Sequence, residues 1–373
     1  MMHDIKVTVY YGPLVWFEDQ VDEEEDEGLL EEACAHDERH REIRVIQEGE
    51  ESSKYEEFER PNRLIAKSGD YASLSEHVIS NFPGLIKSLA PFELHLHNPP
   101  KQVHTHLERT FTETFEAKSY KYPTVTHETL KAFRDGFDQH LIGQESVRDS
   151  ILAALYPLTR AKREKPVVIM FYGPSGVGKT KTAQFLNGLL EGNLMRKQFS
   201  MFHSENFASY LFGGRHSELS FARDLLDRES GIILIDEFDK AASVFHNAFY
   251  QFFDEGVFED KNYRVDVGRS LTICTSNYSS EQEIRDALGD ALYSRFDALI
   301  QFENLSKANV LKIIDRLVEN RFENLDPDEK EVLEVIEVKE TLYGAASNSA
   351  NVRKLGKLTD ELISTLLVER LLG

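Results

Sequence analysis

Residues 167–180 read VVIMFYGPSGVGKT, an apolar run followed by a glycine-rich loop. Six apolar or aromatic residues (167–172) precede a loop that matches G-x-x-x-x-G-K-[ST], and a helical pattern follows over 179–191. A continuous apolar run of this length is typical of a strand that is covered on both faces of a parallel sheet. A strand, a glycine-rich loop and a helix in this order predict an α/β fold with a phosphate site at the end of the strand.

The residue types of this loop suit a bound nucleotide. Glycines let the backbone curl so that its N–H groups point at phosphate oxygens, and the N-terminus of the following helix adds its positive end. Lys179 is expected to reach the β- and γ-phosphates, and Thr180 to offer its hydroxyl to Mg²⁺. The sequence therefore predicts a site for ATP and Mg²⁺. The predicted backbone cradle consists of Gly173, Pro174, Ser175, Gly176, Val177 and Gly178.

A second apolar run, 232–235, ends in two carboxylates, Asp236 and Glu237. Asp236 is placed to hold Mg²⁺ through its water shell, together with Thr180. Glu237 can polarise the water that attacks the γ-phosphate, as a general base. An isolated Asp-Glu pair at a strand end is weak evidence, but its position after the phosphate loop favours hydrolysis over passive binding.

Two further apolar runs, 271–275 and 298–302, alternate with helical stretches, which indicates a parallel sheet of the P-loop NTPase type. Beyond residue 305 the apolar spacing is helical throughout, which predicts a small C-terminal helical lid. We therefore divide the chain into a mixed α/β N-terminal domain (1–125), a nucleotide-binding α/β domain (126–304) and the lid (305–373).

The N-terminal domain carries most of the charge. Residues 1–60 contain 20 acidic and 6 basic side chains, whereas the whole chain has a net charge of −22. The densest run, 22–27, is either a solvated loop or a docking surface for a basic partner. Strands are predicted around 5–11, 43–46 and 94–96, and a helix interrupted by Pro83 over 74–89.

Composition excludes several classes of protein. A charge of −22 without a basic stripe makes nucleic acid an unlikely partner, and two cysteines exclude a disulfide-built scaffold. The first residues show no signal-peptide pattern, and no apolar run approaches the ~20 residues of a membrane helix. We expect a cytoplasmic protein with no membrane association.

The order of these motifs resembles the AAA+ ATPases, specifically the Clp-type branch that includes the second ATPase module of the bacterial disaggregase. The resemblance covers about residues 130–373. Residues 141–145 are similar to the family's entry segment over the adenine, which implies that Ile142 contacts the nucleotide. Residues 275–277 are similar to its first sensor, which implies that Asn277 positions the attacking water.

Two arginines complete the set that the resemblance implies. Residues 294–297 resemble the arginine-finger segment, so Arg295 would contact the γ-phosphate of a neighbouring subunit. Residues 351–355 resemble the second-sensor helix, so Arg353 would face the same phosphate. A charge supplied in trans is worth about 10³–10⁵ in rate in other nucleotide hydrolases. The resemblance thus implies a homo-oligomer, a ring of about six subunits.

The chain departs from this family between the phosphate loop and Asp236. Unfoldases of the branch carry an aromatic Gly-Tyr-Val-Gly loop there, whereas residues 211–218 read LFGGRHSE. This difference puts polypeptide threading in doubt and favours an ATPase that remodels or regulates a protein partner chosen by the N-terminal domain. The alternatives are a nucleic-acid-associated loader of the same fold and a nucleotide-dependent switch in a larger defence or signalling assembly.

Some remaining features have plain structural interpretations. Phe245, Phe249, Phe252 and Phe253 have helical spacing and are predicted to be core residues, and Cys274 to be a buried, inert thiol. Two H-x-H pairs on strands joined by a Pro turn would place four imidazoles on one face, an alternative zinc or nickel site. These imidazoles belong to His95, His97, His104 and His106.

Overall fold

The computed structural model describes residues 5–21, 26–41, 60–201, 204–216, 218–345 and 351–371. The chain divides into two compact units. The first unit consists of residues 1–122 together with 202–229 and 257–267, and the second of 123–201, 230–256 and 268–373. The predicted strand at 43–46 and residues 22–25 of the acidic run lie outside the described residues.

The strands, in chain order, are β1 (Lys6–Tyr11), β2 (Glu27–Gly28), β3 (Arg63–Ala66), β4 (Glu93–His97), β5 (Phe115–Ser119), β6 (Val167–Tyr172), β7 (Met195–Gln198), β8 (Ile232–Asp236), β9 (Val257–Glu259), β10 (Arg264–Asp266), β11 (Leu271–Thr275) and β12 (Ala298–Gln301).

The helices are α1 (Leu14–Glu18), α2 (Leu29–Arg41), α3 (Glu76–Ser80), α4 (Phe82–Leu89), α5 (Lys101–Thr110), α6 (His127–His140), α7 (Glu145–Leu155), α8 (Lys179–Gly188), α9 (Ser204–Phe212), α10 (Phe221–Leu226), α11 (Tyr250–Glu255), α12 (Glu281–Tyr293), α13 (Lys307–Glu323), α14 (Pro327–Val332), α15 (Val335–Ala345) and α16 (Val352–Leu371).

The first unit is built on a five-stranded parallel sheet of order β2-β3-β4-β1-β5, which we call the first sheet. Its core consists of alternate strand residues such as Val7 and Leu94 packed against apolar side chains of α4 and α5. The predicted helix at 74–89 is two helices, α3 and α4, because Pro83 is tolerated only in the first turn of the second.

The second unit contains a five-stranded parallel sheet of order β12-β6-β11-β8-β7. All six residues of β6 and all five of β8 and β11 are buried, as expected for strands covered on both faces. The α/β fold class is therefore confirmed. One strand, β7, was not predicted, because its sequence MRKQ is too polar to show as an apolar run.

Four helices, α13 to α16, follow the second sheet and confirm the helical C-terminal portion. Their apolar stripes converge in one cluster that includes Ile314, Val318, Leu342 and Leu355. The predicted domain limits at 125/126 and 304/305 stay predictions.

The predicted core aromatics Phe245, Phe249, Phe252 and Phe253 are buried, and Cys274 is buried with its thiol pKa raised by burial. In the described part of the chain, no helix has both the length and the apolarity that crossing a bilayer requires.

The histidine arrangement differs from the four-imidazole face. His95 and His97 lie on β4, but His104 and His106 lie on helix α5, not on a second strand. The two ring nitrogens of His95 are hydrogen-bonded to Tyr10 and Glu93. Nε2 of His97 is hydrogen-bonded to the backbone oxygen of Gly12 at 2.8 Å. The described residues contain no group of three or more potential ligands placed to hold a metal ion. The zinc or nickel alternative is therefore wrong for these residues.

Candidate nucleotide site

The phosphate loop connects β6 to α8, and its glycines have positive φ angles. Gly173 has φ +129°, and a Cβ there would lie 2.2 Å from the backbone oxygen of Phe302. Gly178, with φ +113°, directly precedes α8. A side chain at Gly173 would therefore force the loop away from the neighbouring chain, which is why the motif needs glycine here.

Lys179 is the first residue of α8 and is 8% exposed. Its ammonium donates to the backbone oxygens of Gly173 at 2.6 Å and Pro174 at 2.7 Å, so the side chain folds back over the loop. Burial lowers the pKa of Lys179 to about 8, although the carboxylates of Asp239 and Asp236 favour its charged form. Because the Lys179 ammonium is buried, its attraction for a phosphate bound by the loop is stronger than that of a lysine in water.

Asp236 ends β8 and is 5% exposed. The hydroxyl of Thr180 donates to both of its oxygens at 3.4 Å, and the hydroxyl of Thr275 donates to Oδ1. Oxygen ligands of this kind suit Mg²⁺, which is held in proteins by one or two carboxylates, water and substrate phosphates. The pair that the sequence assigned to the metal is therefore brought together, and its chemistry fits.

Arg196 on β7 was missed by the sequence analysis. Its guanidinium donates to Asp236 Oδ2 from Nε at 3.0 Å and from Nη2 at 2.5 Å. The guanidinium of Arg196 is thus paired with the carboxylate that the sequence assigned to Mg²⁺. The sequence did not point to Arg196, because β7 was not predicted and a single Arg in a polar stretch does not indicate a function.

Glu237 follows β8 in a left-handed conformation, with φ +57° and ψ +45°. Its backbone N–H donates to Thr275 Oγ1 at 3.0 Å. Hydrogen bonds from Ser200 and from Gln198, the latter 3.0 Å from Oε2, lower the pKa of the Glu237 carboxyl. Glu237 is thus an ionised carboxylate at neutral pH, held by two polar side chains that the sequence analysis did not identify.

Asn277 follows β11, and its Oδ1 lies 3.4 Å from Lys179 Nζ. Parallel neighbours β6, β11 and β8 end at the same edge of the sheet, which explains why Lys179, Asp236 and Asn277 meet although they are far apart in sequence.

The helical portion also contributes to the cleft. Val352 N–H donates to the oxygen of Gly176 at 3.0 Å, and Asn351 Nδ2 donates to the oxygen of Ser175 at 3.1 Å. The Asn351 side chain also accepts from the N–H of Arg353 at 3.0 Å, which caps the start of α16. Arg353 is thereby brought to the rim of the cleft.

These groups line one cleft of about 520 Å³. Ile142, Ile313 and Leu317 form an apolar part of its wall, and phosphate-loop residues, Asp236, Glu237, Asn277 and Arg353 line the polar part. An apolar pocket beside converging polar groups is the usual form of a cofactor site.

Arg295 does not line this cleft. Its Nε donates to Asp254 at 2.7 Å, and its guanidinium lies 4.7 Å from the ring centroid of Tyr250. Within one chain, Arg295 is therefore paired away from the groups that surround the phosphate loop.

The family model of the AAA domain (Cdc48 subfamily) matches residues 164–324. The chain is 27% identical over 290 residues to the chaperone protein ClpB of Chlamydia caviae, covering 66% of this chain and 33% of that protein. It is 27% identical over 269 residues to the Clp protease ATP-binding subunit ClpE of Lactococcus lactis, covering 63% and 36%. The chain spans about a third of the length of these relatives.

A solved structure has a similar fold. One chain of the closed-state cryo-EM reconstruction of Hsp104 with ATPγS and FITC casein matches with a TM-score of 0.57 at 13% identity, covering 100% of this chain and 89% of that one. The matched segment 164–324 contains the phosphate loop and the residues from Asp236 to Arg295. Residues 164–324 thus match the model of an AAA domain, and the relatives to which the chain is similar are of the Clp type.

Proposed function

We propose that this protein hydrolyses ATP with Mg²⁺ and uses the free energy to remodel or regulate a protein partner. The observation that carries the proposal is the convergence of Lys179, Asp236, Glu237 and Asn277 on one cleft. A passive nucleotide site has no need for an ionised carboxylate in the same cleft as the phosphate-binding lysine, whereas hydrolysis requires a base for water.

Each side chain has a distinct task in this proposal. Lys179 and the loop N–H groups hold the β- and γ-phosphates, and Thr180 and Asp236 hold the metal. Mg²⁺ held by these two residues would supply positive charge against the negative charge that develops on the transferred phosphate. Glu237 accepts the proton of a water that Asn277 orients, after the carboxylate has left Gln198.

Steady-state hydrolysis of the parent chain and of Glu237→Gln tests the proposal. We expect turnover in the parent and a loss of at least about 10²-fold in the variant, with nucleotide affinity retained. Glu323→Gln, an exposed position on α13, is the matched control and should hydrolyse like the parent. A parent chain that binds ATP without turnover would instead favour the nucleotide-dependent switch.

We propose further that the active sites are shared between subunits of a ring, with Arg295 acting on the neighbour's nucleotide and Arg353 on that of its own subunit. Support comes from the position of Arg295 outside its own cleft and of Arg353 at the rim. A guanidinium supplied in trans stabilises the spreading charge of phosphoryl transfer.

Mixed assemblies test the shared site. Arg295→Ala keeps an intact cleft but supplies no finger, whereas Lys179→Ala supplies the finger but has a defective cleft. Each variant alone should be inactive, and an equimolar mixture should regain a substantial part of the activity. No recovery in a mixture that co-assembles would assign Arg295 a role within its own subunit.

We propose that the acidic N-terminal domain selects the protein partner and that the protein is cytoplasmic. The charge of residues 1–60 supports a protein over a nucleic acid as the partner. Affinity capture with Glu237→Gln in the presence of ATP tests this selection, because the variant should retain the nucleotide and hold the partner-bound state. Stimulation of the hydrolysis by DNA that is lost at high salt would favour the loader instead.

A further inference from the structure

The first unit combines residues 1–122 with two segments, 202–229 and 257–267, that lie within the matched AAA domain. We call these two segments the insert. It consists of α9, α10 and the antiparallel hairpin β9–β10. The AAA domain thus contributes part of its own sequence to the fold of the N-terminal region.

The insert contacts the carboxyl-end loops of the first sheet. Leu14, just after β1, donates its N–H to Asp227 Oδ1 at 2.9 Å, and Arg223 Nη2 donates to the oxygen of Ser68, after β3, at 3.3 Å. His97 at the end of β4 lies 3.9 Å from Asp227. Open parallel sheets bind ligands outside this edge. Here a segment of the same chain covers it.

The hairpin is attached to the start of α5 through Lys101. The N–H of Lys101 donates to the oxygen of Asn262 at 2.8 Å. Its ammonium donates to Glu259 Oε1 at 2.8 Å and to the oxygen of Asp260 at 2.9 Å. Asp260 and Asn262 are 5% and 6% exposed, whereas the side chains of Lys101 and Glu259 are 40% and 41% exposed, so the buried part of this contact is the one with the turn of the hairpin.

The two segments of the insert are also joined to each other. Lys261 N–H donates to the oxygen of Phe212 at 3.0 Å, and Asn262 Nδ2 donates to the oxygen of Gly214 at 3.1 Å. Gly213 has φ +81°, and a Cβ there would lie 2.9 Å from Lys261 N. The loop after α9 is therefore fixed on the hairpin, which is itself fixed on α5.

Both ends of each segment continue into strands or helices that carry site groups. The first segment begins two residues after Ser200, which hydrogen-bonds Glu237, and leads into β8, which ends at Asp236. The second begins after α11, whose Asp254 pairs with Arg295, and leads into β11, just before Asn277. Ser200 and Asp254 thus lie two and three residues before the starts of the two segments, whereas β8 and β11 separate Asp236 and Asn277 from the ends of the segments.

From these contacts we infer that the insert is a mechanical link between the nucleotide site and the N-terminal domain, and that Lys101 is its main attachment. The nucleotide state moves the N-terminal domain through α9, α10 and the β9–β10 hairpin. The inference rests on the proposed function only in requiring that the protein binds nucleotide. It does not require hydrolysis.

Amide hydrogen exchange of the full-length protein tests the link. Exchange is compared without nucleotide, with ADP, and with ATP in the Glu237→Gln background. We expect residues 97–110 to change their exchange rates between nucleotide states by about threefold or more, together with 257–267. Lys101→Met, which keeps the aliphatic stem and removes the ammonium, should reduce the change at 97–110 and leave that at 257–267, because the bonds to Glu259 and Asp260 are lost while the backbone bond to Asn262 remains.

Lys87→Met is the matched control, because Lys87 is exposed on α4, and it should behave like the parent. Asp227→Ala removes a second attachment, at Leu14, and provides a further test where Lys101→Met lowers stability. A nucleotide-independent rate at 97–110 in the parent, or an unchanged response in both attachment variants, overturns the inference. A chain that binds ATP without hydrolysing it contradicts the proposed function alone, since the exchange difference still decides the link.

Discussion

The protonation state of Lys179 gives the sharpest quantitative prediction. The ammonium is buried and satisfied by two backbone oxygens, and its pKa is lowered to about 8. Phosphate binding needs the charged form, and the negative charge of bound ATP raises the pKa of the lysine again. Binding above pH 8 therefore requires uptake of a proton, and nucleotide affinity should fall as the pH rises through 8.

The size of the effect follows from that pKa. With a pKa of about 8, roughly nine-tenths of the free protein carries the charge at pH 7 and roughly one-tenth at pH 9. If only the charged form binds, the affinity falls by about tenfold over this interval, or ~1.4 kcal/mol. Below about pH 7 the ATP affinity does not rise further through Lys179, because this lysine is already protonated.

Titration of ATP by calorimetry between pH 7 and 9.5 provides the assay. The terminal phosphate has a pKa near ~6, so its own titration contributes little at the upper end of this range. Repeating the titration at pH 8.5 in two buffers of different ionisation enthalpy measures proton uptake directly, and we expect about three-quarters of a proton per site.

A second lysine in the cleft supplies the control. Burial also lowers the pKa of Lys181, which lines the same cleft. Lys181→Met should keep the pH dependence, whereas Lys179→Met should bind weakly at every pH without proton uptake. Constant affinity from pH 7 to 9.5, or a pH dependence that disappears in Lys181→Met, would refute the assignment to Lys179.

Three further predictions concern neighbouring residues. Arg196→Gln frees Asp236 for the metal, so the Mg²⁺ concentration for half-maximal ATP binding should fall by at least about tenfold, because even one of the two charged hydrogen bonds that are lost is worth ~1.5 kcal/mol; an unchanged requirement would contradict competition for this carboxylate. Arg295→Ala should abolish turnover while titrations show ATP affinity nearly unchanged, and normal turnover would exclude the finger role. Gly173→Ala should destabilise the protein by about 2–3 kcal/mol in thermal unfolding, because its Cβ would meet the Phe302 oxygen, whereas Gly188→Ala, with open space around it, should unfold like the parent.

Local patterns predicted much of the second unit. The apolar runs predicted β6, β8 and β11, because strands covered on both faces must be apolar throughout, and also the edge strand β12, which is only partly buried. The strand β7 was not predicted, since it lies at the edge of the sheet and its sequence MRKQ is too polar to form an apolar run. Because β7 was not predicted, Arg196 and Gln198 were not predicted as site residues either. Their side chains hydrogen-bond the carboxylates of Asp236 and Glu237.

The sequence by itself determined the chemistry of the phosphate loop, because a loop that curls around phosphate needs glycine, lysine and a hydroxyl at fixed spacing. It also determined the helical character of the C-terminal portion, since the apolar stripe has a period that only a helix presents on one face. Tertiary structure alone decided that residues 202–229 and 257–267 fold with the N-terminal region. Contacts such as Lys101 with Asp260 join residues far apart in the chain, and no local pattern encodes a pairing that arises only when separate segments pack together.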